Sequence, residues 1–347
     1  MSEVDQTADD AAAPPHPRET TVFFGHTEAE QALLDAYRTG RVPHAWLIGG
    51  PPGIGKATLA YRMARFVLAY PDAAVGAVRA ARSLQLDASH PVARQVAGQA
   101  HSDLLVLERT ENDKGVLRTA IVVEQMERTV SFFGSTAGAG GWRVCIVDAA
   151  DELHPASANK LLKVLEEPPA RSLFLLVSHA PGRLLATIRS RCCRLDLRPL
   201  AVTDVARAAA AAGGRNADDA QIRAAAAAAD GSVARALTLL GGPALALRQR
   251  LVRLLEALPA TDPNALHALG EALGRADDGA FTAFVDAVRD WLSARLQTEP
   301  REPRRLARVA EVWEKVDRAA RDVEDYNLDR KPLVFAVFGL LAETARL

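Results

Sequence analysis

Four short apolar runs, residues 45–48, 104–107, 144–147 and 173–177, punctuate the first half of the chain. Between them, apolar residues recur at three- and four-residue spacing or give way to polar loops. Runs this short, without polar alternation, predict strands buried on both faces, as in a parallel sheet wrapped by helices. A further strand-like stretch occupies residues 194–197. The first run enters a glycine-rich turn, after which Leu59, Met63, Phe66 and Val67 return at helical spacing, so the local order is strand, loop, helix. Residues 157–167 place Ala158, Leu161, Leu162 and Leu165 on one helical face, and Pro168 and Pro169 end that helix.

After Leu195 the strand pattern stops. Residues 200–240 read as a small helical region ending in GSVARALTLL, with an alanine-rich stretch at 208–230 that is an ordinary helical composition. Helical spacing resumes from residue 244, in Leu251, Leu254 and Leu255, then Phe281, Phe284 and Val288, then Leu333, Val334, Val337 and Leu340. Gly241, Gly242 and Pro243 make a boundary between the two helical regions. The pattern thus predicts α/β plus all-α architecture: a P-loop-type parallel-sheet domain over 18–199, a small helical domain over 200–242 and a C-terminal helical domain over 243–347. Residues 1–17 are acidic, rich in Ala and Pro and free of any apolar run, which predicts a disordered tail and neither a signal peptide nor an anchor.

Size and charge narrow the classes. A chain of 347 residues exceeds a single core and calls for two or three domains. Forty-two basic residues against 43 acidic ones exclude a polycation that binds nucleic acid by bulk charge, so any DNA contact is local or shared with partner chains. No stretch of about 18 apolar residues occurs, which removes a helical membrane span. The three cysteines, Cys145, Cys192 and Cys193, form no CxxC pair, which argues against a zinc module and for a reduced, cytoplasmic setting. Cys192 and Cys193 are expected as buried strand residues. His90, His101, His154 and His179 lack metal-ligand spacing and are expected to pack or face solvent, so no metal site is expected.

The turn itself carries the candidate chemistry. Residues 50–57 read GPPGIGKA, a phosphate-binding loop complete through Lys56 whose last position holds Ala57 where the motif has serine or threonine. Gly50, Gly53 and Gly55 let backbone N–H groups face phosphates, Lys56 reaches the β/γ-phosphates, and the missing hydroxyl is the Mg²⁺ ligand. Thr58 stands one place later, turned by roughly 100° on a helix, and does not replace it. An ATPase also needs an acidic pair at a strand end, one carboxylate for hydrated Mg²⁺ and one to polarise water. Here Asp148 is present but Ala149 takes the second place, and Asp151 and Glu152 lie too far along. Two missing groups argue against hydrolysis by this chain. The loop fits weak, metal-free nucleotide binding or a plain strand-to-helix connection, and Asp148 fits a residual metal-site carboxylate or an ordinary loop residue; the residues alone leave both pairs open. Ser190, Arg191 and Cys192 put an arginine at the end of a helical stretch, a place from which its planar, permanently charged fork can reach another chain's phosphate or form a surface ion pair.

Three segments together, PHAWLIGGPPGIGKATLA at 43–60, VDAADELHPASANKLLKVLEEPP at 147–169 and LLATIRSRC at 184–192, resemble the δ′ subunits of bacterial DNA polymerase III clamp loaders, of the AAA+ class. The resemblance runs from about residue 18 to residue 240, with NLDRKPLVFAVF echoing it near the C-terminus. It implies an AAA+ domain, a lid and a helical collar that joins a five-membered ring. It also implies γ/τ and δ subunits as partners, with the sliding clamp and primed DNA reached through the complex. In that family δ′ is largely stationary while γ/τ hydrolyse ATP, and the arginine of the Ser-Arg-Cys triplet acts in trans, which assigns Arg191. The chain itself is then expected neither to polymerise DNA nor to hydrolyse ATP, with ATP or ADP held weakly if at all. Many relatives carry a four-cysteine zinc module after the P-loop helix; no cysteine lies between Phe66 and His101, so no zinc is expected. Where hydrolysing relatives carry a lid arginine, this chain has Ala234, with Arg235 next. Ser178 and His179 occupy the usual phosphate-sensing place without an assigned role. The alternatives are an active γ/τ-type ATPase and, less compatible with the long helical half, a small-molecule P-loop kinase.

Overall fold

A computed structural model describes residues 15–111, 118–134, 141–240, 244–276, 278–298, 303–326 and 328–346. The chain separates into two compact units, Met1–Ala234 and Arg235–Leu347. In the first, β1 (Ala45–Gly49), β2 (Leu104–Glu108), β3 (Arg143–Asp148), β4 (Ser172–Ser178) and β5 (Cys193–Asp196) form one sheet in the order β2-β3-β4-β1-β5. Every pairing is parallel. Helices α1 (Thr27–Arg38), α2 (Lys56–Ala69), α3 (Gly76–Ala80), α4 (Pro91–Ala97), α5 (Val123–Gly134), α6 (Pro155–Glu166) and α7 (Ala186–Arg189) intervene, followed by α8 (Val202–Gly213) and α9 (Ala220–Ala227). Helix α10 (Val233–Leu240) contains the division between the units, and α8 and α9 group with the sheet. The 241–243 boundary and tail residues 1–14 lie outside the described residues; His16 packs edge-on against Tyr61.

The strand side chains sort by the two-residue period of a pleated sheet. Trp46, Ile48, Val144, Ile146, Leu173, Leu175 and Val177 join Leu33, Leu59, Met63 and Phe66 of α1 and α2 on one face. Leu47, Cys145, Val147, Phe174 and Leu176 face Leu161 and Leu165 of α6 and Ile188 of α7 on the other. Each such side chain stabilises the fold by roughly 1.5–3 kcal/mol relative to exposure. The expectation of burial on both faces therefore holds for the inner strands β1, β3 and β4, where nearly every residue is buried. It fails at the edges: β2 alternates buried with half-buried residues, and β5 is mostly exposed. An edge strand has a neighbour on one side only, so less of it is covered. Cys193 is accordingly exposed and Cys192 only partly covered, a correction to the expected buried pair; all three cysteines are free thiols.

Helix α6 begins two residues ahead of its predicted start because Pro155 sits in its first turn and the His154 ring caps the Ala156 N–H at 3.2 Å. The second unit comprises α11 (Ala244–Glu256), α12 (Pro263–Gly274), α13 (Asp278–Thr298), α14 (Pro303–Asp325) and α15 (Arg330–Ala345). Its core holds Leu251, Leu255, Phe281, Phe284, Val288, Val334 and Val337 as the spacing predicts, and Phe338 and Leu341 rather than Leu340 complete it. Among the described residues no helix is long and apolar enough to cross a membrane.

Candidate nucleotide loop and rim arginine

The glycine turn joins β1 to α2, and its backbone cannot carry ordinary side chains. Gly50 has φ 143°, and a Cβ there would sit 2.5 Å from the Leu197 carbonyl oxygen. At Gly53, with φ 74°, a Cβ would collide with the Ser232 hydroxyl and stand 2.8 Å from the Ala234 Cβ. Residues 232–234 thus lie directly on the loop, and the Ala234 N–H donates to the Gly53 carbonyl at 3.2 Å. On the near side, the His26 ring meets the Ile54 carbonyl at 2.9 Å, with the ring nitrogen donating because a carbonyl only accepts.

Helix α2 starts at Lys56 behind Gly55 (φ 99°), which supplies no side-chain cap. Its first-turn N–H groups lack intrahelical acceptors and, with the helix dipole, suit an anion. Lys56 Nζ donates to the carbonyls of Gly50, at 2.7 Å, and Pro51, which folds the loop around its cation. Burial lowers its pKa to about 8 against the opposing pull of the Asp148 and Asp151 carboxylates. These groups fit a phosphate. They do not fit a phosphate-bound Mg²⁺, because Ala57 offers no oxygen and Thr58 lies one position along α2, partly buried.

Asp148 closes β3 directly across from Glu108 of β2. Burial raises its pKa to about 6, Glu108 adds to the rise, and Lys56 opposes it. The next residue is the buried methyl of Ala149. Neither following acid compensates for it. Asp151 accepts the His179 N–H at 2.8 Å; burial works to raise its pKa, and that hydrogen bond helps hold it below the ordinary value. Glu152 pairs with Arg109 at 2.7 Å. Ala234 meets the loop through its backbone and methyl, while Arg235 pairs with Asp286 at 3.3 Å and Asp290 at 3.0 Å. Among the described residues no cluster of His, Cys, Asp or Glu could hold a metal ion.

Arg191 lies away from this loop in sequence, just beyond α7. Its Nη2 donates to Glu166 Oε1 at 2.7 Å, its Nη1 to the Thr187 carbonyl at 2.9 Å, and 34% of its side chain remains exposed. The structure therefore joins Gly50, Gly53, Gly55, Lys56 and Asp148 at the carboxyl ends of the inner strands, while Arg191 lies partly exposed between α7 and β5. Sequence reasoning missed Glu166, His26 and Ser232, whose roles arise through space. The signals available were an acid at a helix C-terminus and the FFGH run before α1.

A five-stranded parallel sheet with a phosphate loop after β1, followed by small lid helices, is the AAA+ architecture. A family profile described as "DNA polymerase III, delta subunit" matches residues 25–201. The chain belongs to that family. It is 40% identical over 149 residues to "DNA polymerase III subunit delta'" of Pseudomonas aeruginosa, covering 43% of this chain and 41% of that protein. It is 35% identical over 164 residues to the protein of the same name from Escherichia coli, covering 47% and 44%. The chain thus spans less than half the length of these curated relatives. A "DNA polymerase III subunit gamma" from Buchnera aphidicola is 27% identical over 227 residues, 65% of this chain and 58% of the relative.

Proposed function

We propose that this chain is a non-hydrolysing ring subunit of a clamp loader, working beside γ/τ and δ subunits to place a sliding clamp on primed DNA. Its own contribution is Arg191, presented in trans to ATP held by a neighbouring γ/τ subunit. The observation that carries the reading is an asymmetry: the chain's own site lacks the metal-binding hydroxyl at Ala57 and the water-polarising carboxylate at Ala149, while Arg191 is partly exposed. A guanidinium there would offset charge on the transferring γ-phosphoryl group without any chemistry in its own site.

For the loop itself, the first-turn N–H groups of α2 and Lys56 would hold a phosphate of ATP or ADP. A nucleotide bound there would order the loop and lid, and nothing at Ala149 would activate water. The domains follow the sequence division, with 18–199 as AAA+ domain, 200–242 as lid and 243–347 as collar, and the setting is cytoplasmic.

The test is a loader assembled with Arg191→Ala. Clamp- and DNA-stimulated ATPase should fall on the order of 10³-fold at the neighbouring site; an unchanged rate would refute the reading. The similarity to γ subunits keeps an active γ/τ-type motor as the competing reading. Turnover by the purified chain, abolished in Lys56→Ala, would decide for it.

A further inference from the structure

We propose that Glu166 is a positioning residue for Arg191, holding the guanidinium plane aimed outward at an adjacent chain's triphosphate. The inference rests on the arginine-finger reading above and deepens it.

A guanidinium carries five N–H donors in one plane. Here one donor of Nη2 is fixed by Glu166 at the end of α6, and one of Nη1 by the Thr187 carbonyl of α7. Two anchors on two different helices set the plane, and three donors remain for an incoming phosphate. The pair is partly exposed on both sides, with 34% of Arg191 and 49% of Glu166 open. An ion pair this exposed adds little stability. Its value lies in orientation, because an arm already ordered loses less freedom when it engages phosphate.

The local sequence supports the same conclusion. Glu166 is the last residue of α6, and Glu167 caps it. A helix C-terminus is the negative end of the dipole, where a basic residue is the favourable choice and an acid is disfavoured. Pro168 prevents the helix from running on, so the position of the carboxylate is fixed by where α6 must stop. An unfavourable charge at a fixed place, satisfied by the rim arginine, is the kind of local conflict that a function explains.

The experiment uses loaders assembled from this chain with its ATPase partners, clamp and primed DNA, each complex isolated before assay. Wild type is compared with Arg191→Ala, Glu166→Gln, Glu166→Asp and the Arg191→Ala/Glu166→Gln double variant. Expected is a roughly 3- to 10-fold loss of kcat in Glu166→Gln with KM for ATP unchanged, and partial recovery in Glu166→Asp. The double variant should equal Arg191→Ala alone, since both changes remove one unit. A Glu166→Gln loader at wild-type kcat beside a slow Arg191→Ala loader overturns this inference alone. So does a double variant slower than Arg191→Ala by the Glu166→Gln factor. An Arg191→Ala loader at wild-type rate overturns the inference together with the reading beneath it.

Discussion

Asp148 and Glu108 stand opposite each other at the carboxyl ends of β3 and β2, two carboxylates in one register on adjacent strands. With burial as the first cause and Glu108 as the second, Asp148 titrates near 6 rather than near the ordinary 3.8. Between those values the folded chain binds the extra proton, so this residue's contribution to stability falls as pH rises through the window. Asp148→Asn should raise stability at pH 7 by about 1–3 kcal/mol and flatten that fall. Urea denaturation at pH 4, 5, 6 and 7 checks it, and an unaltered pH profile counts against the assignment.

Lys56 gives the opposite sign. Its pKa of about 8 lies below the ordinary 10.5, so above pH 8 the folded chain releases a proton that the unfolded chain keeps. Stability from this group therefore rises with pH across that window. Binding of ADP without Mg²⁺, if the cradle holds it, should weaken over the same range as the cation is lost, and Lys56→Ala should abolish it. Isothermal titration at pH 7 and pH 9 separates these outcomes; binding that is equal at both values would remove Lys56 from the phosphate site.

Gly50→Ala forces a side chain into a positive-φ conformation 2.5 Å from the Leu197 carbonyl. A destabilisation of about 2 kcal/mol or more is expected, since neither the strain nor the backbone clash relaxes without moving β5's exit. Thermal melting of the variant measures it, and a shift under 1 °C would mean that the loop has another conformation in solution.

The buried pair of Arg62 and Glu30, at 2.7 Å, ties α2 to α1, and Glu30 also accepts the Leu84 N–H at 3.0 Å. Arg62 further donates to the Thr21 carbonyl at 2.5 Å, and Arg65 to those of Arg18 and Thr20, so α2 grips the segment before α1. Glu30→Ala strands a buried guanidinium and should cost about 3–5 kcal/mol. Limited proteolysis should then cut first within residues 18–24, and denaturant unfolding gives the magnitude. Wild-type protection of that segment would show that the grip does not depend on Glu30.

Strand positions were legible because continuous apolar runs have few other uses, and the observed strands begin and end within one residue of the predicted ones. Which strands lie at the edge was not legible in the inner-strand pattern. That depends on sheet order, which brings β1 between β4 and β5 although they are remote in sequence. The glycine turn was legible because glycines at fixed spacing before a lysine report backbone conformation directly. Glu166 beside Arg191 and Ser232 on Gly53 were not, since each contact joins segments whose proximity only the fold creates.

The hydrogen bond from the Ala234 N–H to the Gly53 carbonyl ties the start of α10 to the glycine loop. A ligand that draws the loop inward has to break that bond or carry the first turn of α10 with it. Occupancy of the loop and the integrity of the Ala234–Gly53 hydrogen bond are therefore expected to be linked. Amide exchange at Ala234 is expected to report a phosphate at the loop, even in a site that performs no chemistry.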